Sequence, residues 1–230
     1  MMKITKGEVF LYLAVFLLAL FNKFIGSVTD AKLIYMAIVN SKIVTLLYIP
    51  IFLFILLQIF SKRMTSELIV RYENICNWSS SNLKIIVMLS IRFCVIFNLI
   101  TSAFMISCSK DLLFNRSFLI FNYISLIIQI VGWSLIGMLF LSVISLVNNI
   151  KLAYMFVVVF FLAIELIMSP LSFLPIRNYI IPIWNTMFFY DLNRGYMIMI
   201  KYLFMNIAII VTLFILYNFL LKKRDIRIER

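Results

Sequence analysis

The sequence predicts an all-α integral membrane protein, a single six-span transmembrane domain over residues 1–230. Composition is the first indication: 65% of residues are hydrophobic and 13% charged, with a mean hydropathy of +1.11, against about half apolar and a quarter charged in soluble domains. Length is the second, because at about 20 apolar residues per crossing the chain holds about five to seven spans and little else. The third is pattern. Runs such as IVTLLYIPIFLFILLQIF are apolar almost throughout, whereas the strands of a membrane barrel alternate.

Apolar windows place the spans at residues 8–26, 43–60, 85–107, 118–147, 152–168 and 202–221. The first follows a basic lead, MMKITKG, and lacks a small-residue cleavage pattern, so it is expected to be retained. Lys23, near its end, can extend to the headgroups. Between the second and third spans, Leu68, Ile69, Tyr72, Ile75 and Cys76 share one helical face, and Glu67, Arg71 and Asn74 lie opposite. Glu67 precedes Arg71 by one helical turn, the favourable order for an ion pair. The expectation is a short cytoplasmic amphipathic helix over residues 66–78, anchored by Trp78 at the interface and stopped by the turn-forming NWSSSN.

The fourth window would be about 45 Å long as a straight helix, more than the about 30 Å hydrocarbon core, so it must tilt, bend or protrude. Gly132 and Gly137 near its middle permit a bend or a close helix crossing. Residues 169–201 combine Pro170, Pro175 and Pro182 with many apolar residues. Such a segment is too apolar for a free loop and too broken for a span. It is expected at the outer interface as short helices, with Trp184 at headgroup depth.

Charge supplies the orientation. Of 21 lysines and arginines, twelve fall on the side of both termini and eight on the other, with Arg92 left inside a span, which places the termini in the cytoplasm. The net charge of +12 therefore reads as topology signal and contact with anionic lipid, not as a nucleic-acid surface. The triplet Asn115-Arg116-Ser117 matches a glycosylation acceptor but is short enough to arise by chance. Cys76, Cys94 and Cys108 fall in three different environments and define no disulfide framework.

Arg92 and Glu165 are the ionisable residues expected within spans, where a charge facing lipid costs at least about 2.5 kcal/mol. Two arrangements fit. They pair directly, which requires bending because Arg92 lies about 10 Å and Glu165 about 20 Å from the cytoplasmic ends of their spans, or Arg92 extends inward while Glu165 sits at the outer mouth. Asn98, Asn122, Gln129 and Ser134 are read as inter-helix hydrogen-bonding residues ahead of substrate contacts.

Six spans in a short chain, a cytoplasmic helix between the second and third, and a proline-broken segment between the fifth and sixth resemble permease subunits of bacterial type-2 ABC exporters. The stretch VRYENICNWSSSNLK is similar to the Arg-Tyr, polar and Trp pattern of small members paired with peptide and lantibiotic-immunity ATPases. The short amino terminus departs from them, leaving little room for an elbow helix. The resemblance implies that Glu67, Arg71, Tyr72, Asn74 and Trp78 belong to an ATPase-coupling helix. It also implies a cytoplasmic ABC ATPase and a second permease copy or paralogue as partners, and a hydrophobic or amphipathic peptide or lipid as cargo in the bacterial plasma membrane.

The residues agree that nucleotide chemistry would come from a partner: no G-x-x-x-x-G-K-[ST] loop is present and the five glycines are scattered. No catalytic residue, metal site or cofactor is assigned. An intramembrane protease is disfavoured because the sequence contains no histidine and no paired carboxylates. A substrate-binding subunit of a vitamin importer and a self-standing immunity protein are the remaining alternatives.

Overall fold

The structure, a computed structural model, describes residues 5–24, 30–63, 75–168, 187–188 and 196–228. Helix α1 (Lys6–Phe24) opens with a capping box. Glu8 N donates to Thr5 Oγ1 at 3.2 Å, and Thr5 N donates to Glu8 Oε2 at 2.7 Å. Helix α2 (Ala31–Ile38) starts at Asp30, whose carboxylate accepts from Lys32 N, and α3 (Ser41–Ile43) starts at Asn40, which accepts from Lys42 N.

A π-helical turn, Val44–Tyr48, joins α3 to α4 (Ile49–Arg63). Proline explains it: Pro50 has no N–H and its ring crowds the carbonyl one turn back. Widening the turn, so that Ile49 N–H reaches Val44 O, relieves that crowding without breaking the helix.

Helix α5 (Ile75–Cys108) leads through a 3-10 turn, Lys110–Phe114, to α6 (Arg116–Val147). Asn115 caps α6 by accepting from Ser117 N at 2.9 Å and Phe118 N at 3.4 Å. Asn148, at φ 63°, takes the left-handed conformation that ends it, and Asn149 caps α7 (Ile150–Met168) by accepting from Lys151 N and Leu152 N. Helix α8 (Tyr196–Ile228) completes the chain.

Among the described residues the protein is all-helical, with six runs long and apolar enough to cross a membrane: Lys6–Phe24, Ala31–Arg63, Asn77–Cys108, Arg116–Val147, Ile150–Ile167 and Ile200–Lys222. They fall where the sequence placed six spans, but the second reaches back to Ala31, because Asp30 and Asn40 begin helices that an apolar window does not detect.

Helix α6 is the centre. Its apolar window is 67% buried, against 11% for the last span and 17% for the fifth, and it packs on α5, α7 and α8, while α1 and α2 lie on α5. Phe10, Phe16, Phe156, Phe160, Phe204 and Phe219 face outward, an apolar exterior compatible with a multi-pass membrane protein. Inside, Trp133 of α6 sits 4.8 Å, centroid to centroid, from both Phe52 and Phe93, in tilted and edge-on arrangements that suit aromatic quadrupoles.

Both glycines of α6 serve close approach. A Cβ on Gly137 would stand 2.5 Å from Ile86 Cγ2, so its absence sets the α5/α6 crossing. A Cβ on Gly132 would collide with Met187. Met187 and its neighbour Phe188 are buried, with the Phe188 ring 5.6 Å from Phe97 and 6.5 Å from Trp133.

This corrects the expected interfacial position for these two residues of the 169–201 segment, since Gly132 lies about 24 Å along α6 from Arg116. A glycine socket beside a buried aromatic cluster accepts these large apolar side chains inside the bundle. Trp184 and the three prolines lie outside the described residues, whereas residues 196–201 already belong to α8.

Replacing Gly137 by Leu forces Ile86 outward. The expected cost is about 1–3 kcal/mol, read as a lower thermal unfolding midpoint in detergent, and an unchanged midpoint would remove the close crossing.

Candidate functional site

The sequence between α4 and α5 singles out one end of the bundle. There the last residue of α4, Arg63, donates from its Nη2 to Ser81 Oγ at 2.9 Å, and its guanidinium lies 5.4 Å from the centroid of the Trp78 ring. Planar, weakly hydrated guanidinium groups stack on indole faces while still donating hydrogen bonds at their edges. One turn on, Asn82 Nδ2 donates to Tyr217 OH at 3.1 Å. Side chains thus join the end of α4 to the first turns of α5 and to Tyr217 of α8, and in sequence residues 64–74 lie between α4 and α5.

Of the expected coupling residues, Glu67, Arg71, Tyr72 and Asn74 lie outside the described residues. Trp78 is described, and it corrects two expectations. NWSSSN does not stop a helix, because α5 runs unbroken from Ile75. Nor is Trp78 an interfacial anchor, since it is only 4% exposed. Ser and Asn favour caps when the local backbone is their best partner. Here Ser81 and Asn82 have better ones in Arg63 and Tyr217. The signal was present in the spacing: Trp78, Asn82, Ile86, Leu89 and Phe93 are all buried and continue one helical stripe from the polar stretch into the span.

The two charges expected within spans do not meet. Arg92 Nη2 lies 3.5 Å from Glu8 Oε1, with the Glu8 side chain 2% exposed and that of Arg92 26%. Glu165 Oε1 instead accepts from Ser41 Oγ at 2.8 Å, linking α7 to α3. Glu8 is the residue that sequence reasoning missed, although Thr5-Lys6-Gly7-Glu8 carries the capping-box spacing. Its carboxylate serves α1 with one oxygen and Arg92 with the other. Gly7 allows this position: a Cβ there would stand 2.8 Å from Ile55 Cγ1.

Farther along α5 a polar seam faces α6. Asn98 Nδ2 donates to Gln129 Oε1 at 2.7 Å, Gln129 Nε2 to Ser125 Oγ at 2.9 Å, and Ser102 Oγ to Asn122 Oδ1 at 3.2 Å. These bonds cross or brace the α5/α6 contact as expected, whereas Ser134 returns its hydroxyl to Ile130 O of its own helix. The Met187–Phe188 insertion lies about one helical turn from the seam, at Gly132 and Phe97. Among the described residues no group of three or more Cys, Asp or Glu is placed to hold a metal ion.

The arrangement offers side-chain linkage at one end, a partly buried ion pair and polar seam along α5, and an apolar insertion in the middle. Comparisons with protein-family models, curated proteins and solved structures find no match to this chain.

Removing Arg92 would leave the Glu8 carboxylate buried, whereas removing Glu8 leaves an Arg92 side chain that keeps 26% of its surface exposed. Glu8→Gln is expected to cost about 1–3 kcal/mol, and the double variant Glu8→Gln, Arg92→Met less than Glu8→Gln alone. Thermal unfolding of the single and double variants in detergent checks the order, and additive losses would show that the two side chains do not interact.

Proposed function

We propose that the chain is the transmembrane permease subunit of a bacterial ABC exporter, with both termini cytoplasmic, moving a hydrophobic or amphipathic peptide or lipid. ATP hydrolysis belongs to a separate cytoplasmic ATPase, and a second permease copy or paralogue completes the path. The observation that carries the reading is the clasp at Arg63.

A permease driven from outside its own chain needs an element that receives displacement and passes it to spans. Residues 64–74 connect α4 to α5, and contacts of Arg63 with Ser81 and Trp78 make the two helix ends move together. Asn82 carries the linkage to α8, and the Gly137–Ile86 crossing carries it to α6. Met187 and Phe188, set against Gly132 and Trp133, then act as an apolar closure that a moving α6 would release.

The test is a mild-detergent pull-down of the tagged chain from its native membranes. A stoichiometric nucleotide-binding ATPase is expected, lost when residues 66–76 are replaced by a neutral linker and weakened by the exchange Glu67→Arg with Arg71→Glu. Recovery of the chain alone would favour a self-standing membrane protein. Arg63→Ala should leave the ATPase bound but lower substrate-stimulated hydrolysis, because binding and transmission are then separated. Undiminished stimulation would remove the clasp from the coupling path.

A further inference from the structure

Pro50 leaves the second span with an incomplete hydrogen-bond ladder. In an α-helix Thr45 O would accept from Ile49 N–H, but that amide goes to Val44 O, and Pro50, the next residue in reach, has no N–H to give. The Thr45 side chain does not make up the loss. Thr101, Ser134, Ser142 and Thr212 each return the hydroxyl to the carbonyl one turn back. Thr45 Oγ1 has no hydrogen-bond partner among the described residues, although the residue is only 1% exposed.

On both sides of this turn the chain is braced. Tyr48 OH donates to Ile38 O at 3.1 Å, tying the π-helical turn back to α2, so that residues 30–48 form one arm. Beyond the turn, α4 is held by Phe52 against Trp133 and by Arg63 against Ser81. The arm meets α7 where Ser41 Oγ donates to Glu165 Oε1 at 2.8 Å, and its rings meet the bundle at Tyr35–Phe121 and Tyr48–Phe97, 5.6 and 6.0 Å between centroids. In a bilayer such ring contacts exchange for acyl chains at little cost, so polar contacts weigh most in where the arm rests.

From these contacts we infer that the π-helical turn is a hinge about which the 30–48 arm swings on α4, and that Ser41–Glu165 is the latch holding the arm against α7. Two deficits meet at Thr45. A carbonyl without its usual amide lets the backbone turn there, and a buried hydroxyl without a partner raises the free energy of the latched position. Swinging the arm frees that hydroxyl to find water or a carbonyl, and it parts the outer ends of α3 and α7. The inference rests on the chain being membrane-embedded and on nothing about transport.

Spin labels on Lys32→Cys in the arm and Leu166→Cys in α7, both exposed positions, measure the separation by double electron–electron resonance. The full-length chain is used in phosphatidylglycerol nanodiscs, with Cys76, Cys94 and Cys108 replaced by alanine. A main distance and a second, longer population are expected. Glu165→Leu and, from the other side of the latch, Ser41→Ala should enlarge the longer population. Pro50→Ala, which supplies an N–H to the open ladder, should shrink it. Thr45→Val, close in shape but without the hydroxyl, should also shrink it and raise the thermal unfolding midpoint.

A single narrow distance that Glu165→Leu and Ser41→Ala both leave in place would overturn the inference. So would a longer population untouched by Pro50→Ala, because the motion would then lie elsewhere. A lower midpoint in Thr45→Val would show that the hydroxyl is bonded in the latched position, and that outcome overturns it as well.

Discussion

Polar groups enclosed by apolar helices have only one another to bond to, and the structure depends on how that demand is met. In water an unpartnered hydroxyl or amide is solvated at no cost, whereas inside this bundle it would forfeit several kcal/mol. Each of the main solutions joins segments far apart in the chain. Glu8 meets Arg92, Ser41 meets Glu165, Arg63 meets Ser81, Asn82 meets Tyr217 and Asn98 meets Gln129. The apolar contacts tolerate sliding and rotation, but these pairs do not. They fix the register that the greasy surfaces leave open.

Packing then fills the frame the polar pairs set. Trp133 anchors an aromatic cluster with Phe52 and Phe93, and two glycines on the same helix admit Met187 on one side and Ile86 on the other. Helix α6 is thereby enclosed, while α7 and α8 keep most of their apolar surface outward. That inversion is compatible with a multi-pass membrane protein. The division of labour is physical: α5 takes part in four of these five polar pairs and α6 in the close crossings, and α7 and α8 present bulk hydrocarbon outward.

Six spans were legible because apolar length is a strong one-dimensional signal. What the sequence concealed was wherever a residue's best partner lies elsewhere in the chain. NWSSSN looked like a helix stop because Ser and Asn prefer caps, yet Ser81 accepts from Arg63 and Asn82 donates to Tyr217 within a continuous α5. Met187 and Phe188 looked interfacial because prolines surround their segment, yet Gly132 offers a socket that no local pattern reveals. Glu8 was overlooked because it sits at a span's edge, although its capping-box spacing from Thr5 was readable. Arg92 was recognised as a charge needing a partner, and only the fold identifies which carboxylate supplies it.

The union of Glu8 with Arg92 also imposes an order on biogenesis. After Glu8 is made, a ribosome must add about 80 residues more, about ten seconds of synthesis at 5–20 residues per second, before Arg92 exists. During that interval the carboxylate has no Arg92 guanidinium to meet and serves only the capping box with Thr5. Its final seating belongs to the moment α5 arrives. Helix α1 is made well before α5, yet the contact that joins them through Glu8 and Arg92 waits for α5.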